Sequence, residues 1–104
     1  MIIYGLTTCD TCRKASKALD GMRFVDIRAE GFPQGLLERA AETFGDALVN
    51  RRSRTWRDLP EDERARPVVE LVRRHPSVMK RPLIETDAGL HLGWTAEVRR
   101  ALEG

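Results

Sequence analysis

Ile2-Ile3-Tyr4-Gly5-Leu6-Thr7-Thr8-Cys9-Asp10-Thr11-Cys12-Arg13-Lys14 is the stretch that decides the fold. A short apolar run leads into both cysteines of the chain, spaced Cys-x-x-Cys, and Ala15, Ala18, Leu19 and Met22 follow at helical spacing. The pattern predicts a strand that delivers a cysteine into the first turn of a helix. Unpaired N–H groups and the positive end of the helix dipole favour S⁻ there, and Arg13 and Lys14 add cationic charge. Cys9, at the front of the turn, is the expected nucleophile. Cys12, one turn further in, is within reach either to resolve a mixed disulfide or to pair with Cys9.

The rest of the composition narrows the class. A chain of 104 residues with 41% hydrophobic residues supports one domain with a modest core. Charged residues make up 33%, yet the formal net charge is only +2, too small to imply direct nucleic-acid or membrane binding. No apolar run approaches the ~20 residues of a membrane span. The first strand begins almost at Met1, which leaves no room for a leader, so a cytoplasmic location is expected. In a reducing compartment two cysteines do not serve as a structural staple. A zinc site would need His75 and His91, which lie far off without ligand-like spacing, so no metal is expected.

Along the chain, Asp20-Gly21 ends the first helical pattern, and Met22 to Arg28 reads as a strand with a β-branched and aromatic centre. Strand, helix and strand in that order require a crossover, so the two strands should be parallel neighbours. Glu30-Gly31-Phe32-Pro33 reads as a turn, with Pro33 placed to open a helix whose inner face is Leu36, Leu37, Ala40, Ala41 and Phe44 and whose end is Gly45. Asn50 to Arg57 then holds four arginines and Trp56. That stretch is either a solvated basic loop or short helix anchored by Trp56, or an anion-binding wall facing the thiol. Pro60-Glu61-Asp62-Glu63 starts an acidic helix turn, and Val68, Val69, Leu71 and Val72 form a buried helix ended by His75-Pro76, with His75 a helix-end residue. Arg81 to Glu85 and Leu90 to Gly93 flank Asp87-Ala88-Gly89 as an antiparallel hairpin, and Thr95 caps a last helix with Val98, Ala101 and Leu102 inward. The order β-α-β-α, a helical segment, then β-β-α predicts an α/β fold with a four-stranded mixed sheet flanked by helices. With Cys-x-x-Cys after the first strand, that order points to a thioredoxin-like fold.

Three blocks also resemble a known family, the glutaredoxin-type arsenate reductases with their relatives, the Spx transcription regulators and the YffB-like proteins. They are Tyr4 to Ala15; Leu48-Val49-Asn50-Arg51-Arg52 with Thr55-Trp56-Arg57; and His75-Pro76 followed by Lys80-Arg81-Pro82-Leu83-Ile84, with Gly93 closing the hairpin. The resemblance runs from Ile2 to about Leu102. It implies a single thioredoxin-like domain over 1–104 with a helical insertion at about 46–78, and a cis bond between Arg81 and Pro82 that brings the arginine beside the Cys9 sulfur. It further implies a thiol oxidoreductase in which Cys9 attacks arsenate, another small oxyanion or a disulfide, Cys12 is its redox partner, and Arg81 binds the anion. Asn50, Arg51, Arg52 and Pro82 complete the anion-binding set. No bound cofactor is implied. Glutathione is the expected co-substrate, its two carboxylates suiting a basic wall, with glutaredoxin an alternative partner.

The chain departs from the well-studied reductases at three positions. Asn50 and Trp94 stand where those enzymes have anion-binding arginines, and Cys12 stands where they have no cysteine. These departures bring it nearer the YffB and Spx branches. In the Spx branch the cysteine pair is a redox switch on a regulator that contacts RNA polymerase, which is the alternative reading here. The end of the chain soon after the last helix weighs against that alternative.

Overall fold

The computed structural model describes residues 1–103. Two compact units are present: one made of Met1–Glu30 and Arg81–Gly104, the other of Gly31–Lys80.

The first unit is built on a four-stranded sheet in the order β2-β1-β3-β4, with β1 Ile2–Gly5, β2 Arg23–Asp26, β3 Leu83–Thr86 and β4 Gly89–Leu92. β1 pairs parallel with β2 and antiparallel with β3, and β3 and β4 form an antiparallel hairpin, so the sheet is mixed as expected. The apolar runs of β1 and β3 follow from this order. Both strands are central, and Ile3, Tyr4, Leu83 and Ile84 are all buried, which stabilises the fold by ~1.5–3 kcal/mol for each large aliphatic side chain. Helix α1, Asp10–Ala18, makes the crossover between β1 and β2. It turns Cys12 and Ala15 inward, whereas Ala18 is exposed.

Two boundaries differ from the sequence reading. The strand expected to run to Arg28 stops at Asp26, and Ile27–Glu30 forms a single helical turn, α2. Asp26 causes the change. Its Oδ1 accepts hydrogen bonds from the N–H groups of Arg28 (2.9 Å) and Ala29 (3.1 Å), which satisfies the start of a turn rather than a ladder. Pro33 does not open the next helix either. Gly35, at φ +84°, leads into it, and the Leu36 N–H donates to the Pro33 carbonyl. At the far end, Thr95 caps as expected, its Oγ1 accepting from the Val98 N–H ahead of α7, Ala96–Glu103 (helices α3 to α6 lie in the second unit).

The second unit is helical. Helix α3, Leu36–Phe44, buries Leu36, Leu37 and Ala40, and α6, Val68–Arg74, buries Leu71 and Val72. Gly45 ends α3 at φ +57°, and a 3₁₀ turn follows over Gly45–Leu48. Between them lie two short helices, α4 Arg54–Asp58 and α5 Glu61–Arg64. Ser53 caps α4 by accepting from the Trp56 N–H. Glu63 gathers three partners: Arg66 at 2.7 Å, His75 at 2.8 Å and Arg74 at 3.1 Å. His75, then Arg66 and Arg74, hold the Glu63 carboxyl down to about 2. His75 is thus a helix-end residue tied to Glu63, as the sequence reading has it. The Glu63 contribution to stability is present above its ordinary value of 4.5 and is lost as pH falls toward 2.

Candidate active site

Cys9 is the N-cap of α1, in extended backbone with φ −89° and ψ 120°. Its N–H donates to the Leu6 carbonyl and its own carbonyl accepts from Arg13, so the residue sits on the last bend before the helix. The bend is held from β2. Asp26 Oδ2 accepts from both the N–H (3.2 Å) and the Oγ1 (3.1 Å) of Thr7. The Thr7 N–H, followed by those of Ala29 and Arg28, keeps the Asp26 carboxyl below its ordinary range in spite of desolvation. Asp26 is a positioning residue that the sequence reading missed. The available signal was an aspartate at the end of a short strand, a common turn-former.

The two thiols are free cysteines in unlike surroundings, Cys9 half-buried and Cys12 buried. For Cys9, burial opposes ionisation, but the Cys12 N–H, the Cys12 thiol and the Arg81 guanidinium together outweigh it and lower the pKa from 9.0. Cys9 closes no hydrogen-bonded side-chain cap, so the Cys12 amide acts on the sulfur chiefly as a dipole. For Cys12, burial raises the pKa to about 12, helped by the neighbouring Cys9 sulfur and opposed by the Leu6 backbone and by Arg81. The surroundings thus favour ionisation at Cys9 and oppose it at Cys12.

Arg81 reaches Cys9 from the loop ahead of β3, where the Arg81–Pro82 bond is cis, as the resemblance implies. The Pro82 carbonyl accepts from the Gly93 N–H at 2.8 Å, which ties this loop to the end of β4. The structure therefore brings Cys9, Cys12, Arg81 and Pro82 together in the first unit.

Asn50, Arg51 and Arg52 belong to the second unit. There they line a cleft of about 670 Å³ with Asp46 and Lys80. The Asn50 N–H donates to the Val78 carbonyl, and its Oδ1 accepts from the Arg52 N–H, so Asn50 builds the turn that displays the arginines. The Arg51 guanidinium lies over the Trp56 ring at 5.4 Å, with Arg64 also on that ring at 5.8 Å. Trp56 thus carries Arg51 and Arg64 on its ring, and Arg51 and Arg52 line the cleft.

Gly5 is a second residue the sequence reading left without a reason. A Cβ there would overlap the Cys12 sulfur, so the strand must be bare where the buried thiol rests. Gly5→Ala is expected to cost about 1–3 kcal/mol in urea unfolding. It should also raise the pH midpoint of Cys9 alkylation, by displacing the Cys12 groups beside that sulfur. Unchanged stability together with an unchanged midpoint would show that the contact carries nothing.

Alkylation of the native protein by iodoacetamide across pH should resolve the two thiols. One is expected to titrate below 9.0, and the second to stay inert until pH nears 12. The stability linked to these groups runs in opposite directions. Cys12, with its pKa raised, contributes fully below its unfolded value and loses that contribution as pH rises toward 12; Cys9, with its pKa lowered, contributes above its unfolded value and loses it as pH falls through the folded pKa. Two thiols titrating together at 9.0 or above would refute the asymmetry.

Among the described residues no helix is long and apolar enough to cross a membrane, and no three His, Cys, Asp or Glu side chains gather as a metal site.

Comparison with known proteins finds relatives of this fold. The structure is similar to that of the YffB protein, with a TM-score of 0.88 at 29% identity over 99% of this chain and 98% of that one. It is also similar to an arsenate reductase (ArsC) related protein from Brucella melitensis, with a TM-score of 0.71 at 35% identity over 96% and 91% of the two chains. In sequence the chain is 32% identical to an uncharacterized protein of Haemophilus influenzae over 95% of both chains. It is 26% identical to the global transcriptional regulator Spx of Bacillus subtilis over 96% of this chain and 85% of that one. The mixed sheet with its helices is the thioredoxin-like fold of these neighbours. Residues 4–102 match the model of the ArsC family, and the chain belongs to that family.

Proposed function

We propose that the protein is a glutathione-dependent thiol reductase of the arsenate-reductase type, in which the Cys9 thiolate attacks an oxyanion or a disulfide and Arg81 binds the substrate's negative charge. The observation that carries this reading is the split between two neighbouring thiols. Arg81 stands beside a half-buried Cys9 of lowered pKa, while Cys12 behind it is held protonated. A thiolate is the competent nucleophile, and a guanidinium stays charged while it orients an oxyanion. Family membership supports thiol oxidoreductase chemistry in general.

With a glutathione mixed disulfide as oxidant, the Cys9 thiolate forms a bond to the glutathione sulfur and the substrate thiolate leaves. A second glutathione thiolate then attacks the Cys9 adduct. Glutathione disulfide departs and Cys9 returns as thiolate. Alternatively Cys12 gives up its proton and attacks the Cys9 sulfur, glutathione thiolate leaves, and two further glutathiones reopen the internal disulfide. With arsenate, two thiols supply two electrons and end as a disulfide, arsenic passes from the pentavalent to the trivalent state, and one oxygen leaves as water. In each route the protein supplies a preformed thiolate and a fixed cation, and no metal or bound cofactor enters.

Glutathione-coupled turnover, measured with arsenate and with a glutathionylated peptide, tests the proposal. Saturable turnover of either substrate above the uncatalysed rate is expected. No turnover of either, with Cys9 shown to be reduced, would dismiss the enzyme.

A second reading is a redox-switch regulator that binds RNA polymerase. It is favoured by the similarity to Spx along 96% of this chain and by the presence of both cysteines. Pull-down against the polymerase α subunit discriminates: binding in one redox state supports it, and no binding in either removes it.

A further inference from the structure

On the flank of α1 that carries Thr11, Lys14 and Ala18, a cleft of about 420 Å³ is closed by Trp94 and Arg99. Its lining holds two cations, one indole and one hydroxyl, and no carboxylate. Arg99 lies over the Trp94 ring at 5.7 Å, which fixes the guanidinium at the cleft wall. Arg99 also pairs with Glu103 on its own helix at 3.8 Å, an exposed i,i+4 pair, and such pairs are weak and readily exchanged. Another cleft beside α1, about 390 Å³ and lined by Arg13 and Lys17, differs because Arg13 is already paired with Asp10.

Covalent geometry connects the Trp94 cleft to the thiol. Thr11 is two residues past the Cys9 N-cap on the same helix. Lys14 is five residues on, which is ~7.5 Å along the axis at ~1.5 Å per residue. From the other side, Trp94 follows Gly93, which is hydrogen-bonded to Pro82, the residue after Arg81. An extended tripeptide spans about 10 Å. By axial rise Lys14 is thus within the length of a tripeptide whose thiol meets Cys9.

We infer that this cleft is the docking site for a carboxylate-bearing peptide thiol, with the carboxylate held by Lys14 and Arg99 and the peptide plane laid on Trp94. It also gives Trp94 a use: the position supplies a stacking face, and Arg99 brings the charge. The inference rests on the reading that a small thiol reduces the Cys9 adduct, and the experiment separates the two.

The chain has two tryptophans, so Trp56→Phe leaves Trp94 as the sole indole reporter. S-methylglutathione, which cannot react, should change Trp94 fluorescence saturably. The Lys14→Gln/Arg99→Gln double variant should bind it at least about tenfold more weakly, the loss expected for charged hydrogen bonds. Because Lys14 also lends charge near Cys9, the readout is a ratio: in the same variant the rate at which glutathione regenerates Cys9 from its adduct should fall at least about tenfold more than the rate for 2-mercaptoethanol. A fluorescence response untouched by the double substitution, or no response at all, overturns the cleft while leaving small-thiol reduction intact. If neither thiol reduces the adduct, the functional reading fails, and the S-methylglutathione titration still decides the cleft.

Discussion

Cys9→Ser is expected to abolish glutathione-coupled turnover, a loss on the order of 10⁴-fold or more, as removing a nucleophile does elsewhere. Serine preserves the volume and the N-cap position, and its hydroxyl is an even better helix cap. What it lacks is a polarisable sulfur with a pKa lowered from 9.0. Cys12→Ser is expected to behave differently, slowing turnover by no more than about tenfold, because external glutathione carries far more thiolate than a buried sulfur can. The structural reason is that the Cys12 pKa is pushed up to about 12 chiefly by burial, which persists when the charge on Cys9 is gone. Both variants should keep wild-type unfolding free energies in urea to within about 1–3 kcal/mol, the larger cost falling on the buried hydroxyl of Cys12→Ser. Coupled turnover with a glutathionylated peptide measures both. A Cys12→Ser protein as dead as Cys9→Ser would place the internal disulfide on the obligatory path.

The second large effect belongs to Arg81. Replacing it with glutamine keeps a donor but removes the charge, and should lower kcat/KM for an oxyanion substrate by about 10²-fold, the cost of one charged donor at a developing anion. The same change should raise the midpoint of the Cys9 alkylation profile, since Arg81 lowers the Cys9 pKa both as hydrogen-bond donor and as charge. Arg81→Lys retains the charge without the planar fork, so the alkylation midpoint should recover more fully than the oxyanion rate. A glutamine variant with unchanged alkylation and unchanged kcat/KM would remove Arg81 from the site.

The sequence carried the fold through short-range signals. The apolar run at Ile2 to Leu6, the Gly45 stop, the Thr95 cap and the Asp87-Ala88-Gly89 turn each act within a few residues, and each appears where the spacing puts it. Each miss has its own local cause. The β-branched and aromatic centre of Met22 to Arg28 predicts strand to Arg28, but the Asp26 carboxylate captures the backbone N–H groups of Arg28 and Ala29. Pro33 looked like a helix start because its φ suits one, yet the positive φ at Gly35 set the entry instead.

The site divided in the same way. Local sequence was sufficient to put Cys9 at the N-cap of a helix and to place Cys12 one turn deeper, because both facts follow from helical periodicity. It could not say that Cys12 rests against a bare Gly5, that Asp26 pins Thr7, or that Trp94 and Arg99 close a cleft beside Lys14. Those are contacts between segments far apart in the chain. A thiol's acidity depends on desolvation and on the charges within a few ångströms of it, quantities that exist only once the sheet has brought β1, β2 and the loop ahead of β3 together. The amino-acid order by itself determined that a reactive cysteine pair would stand at a strand-to-helix junction. How far the two thiols differ in acidity, and that the Arg81 guanidinium acts on Cys9, was decided by packing.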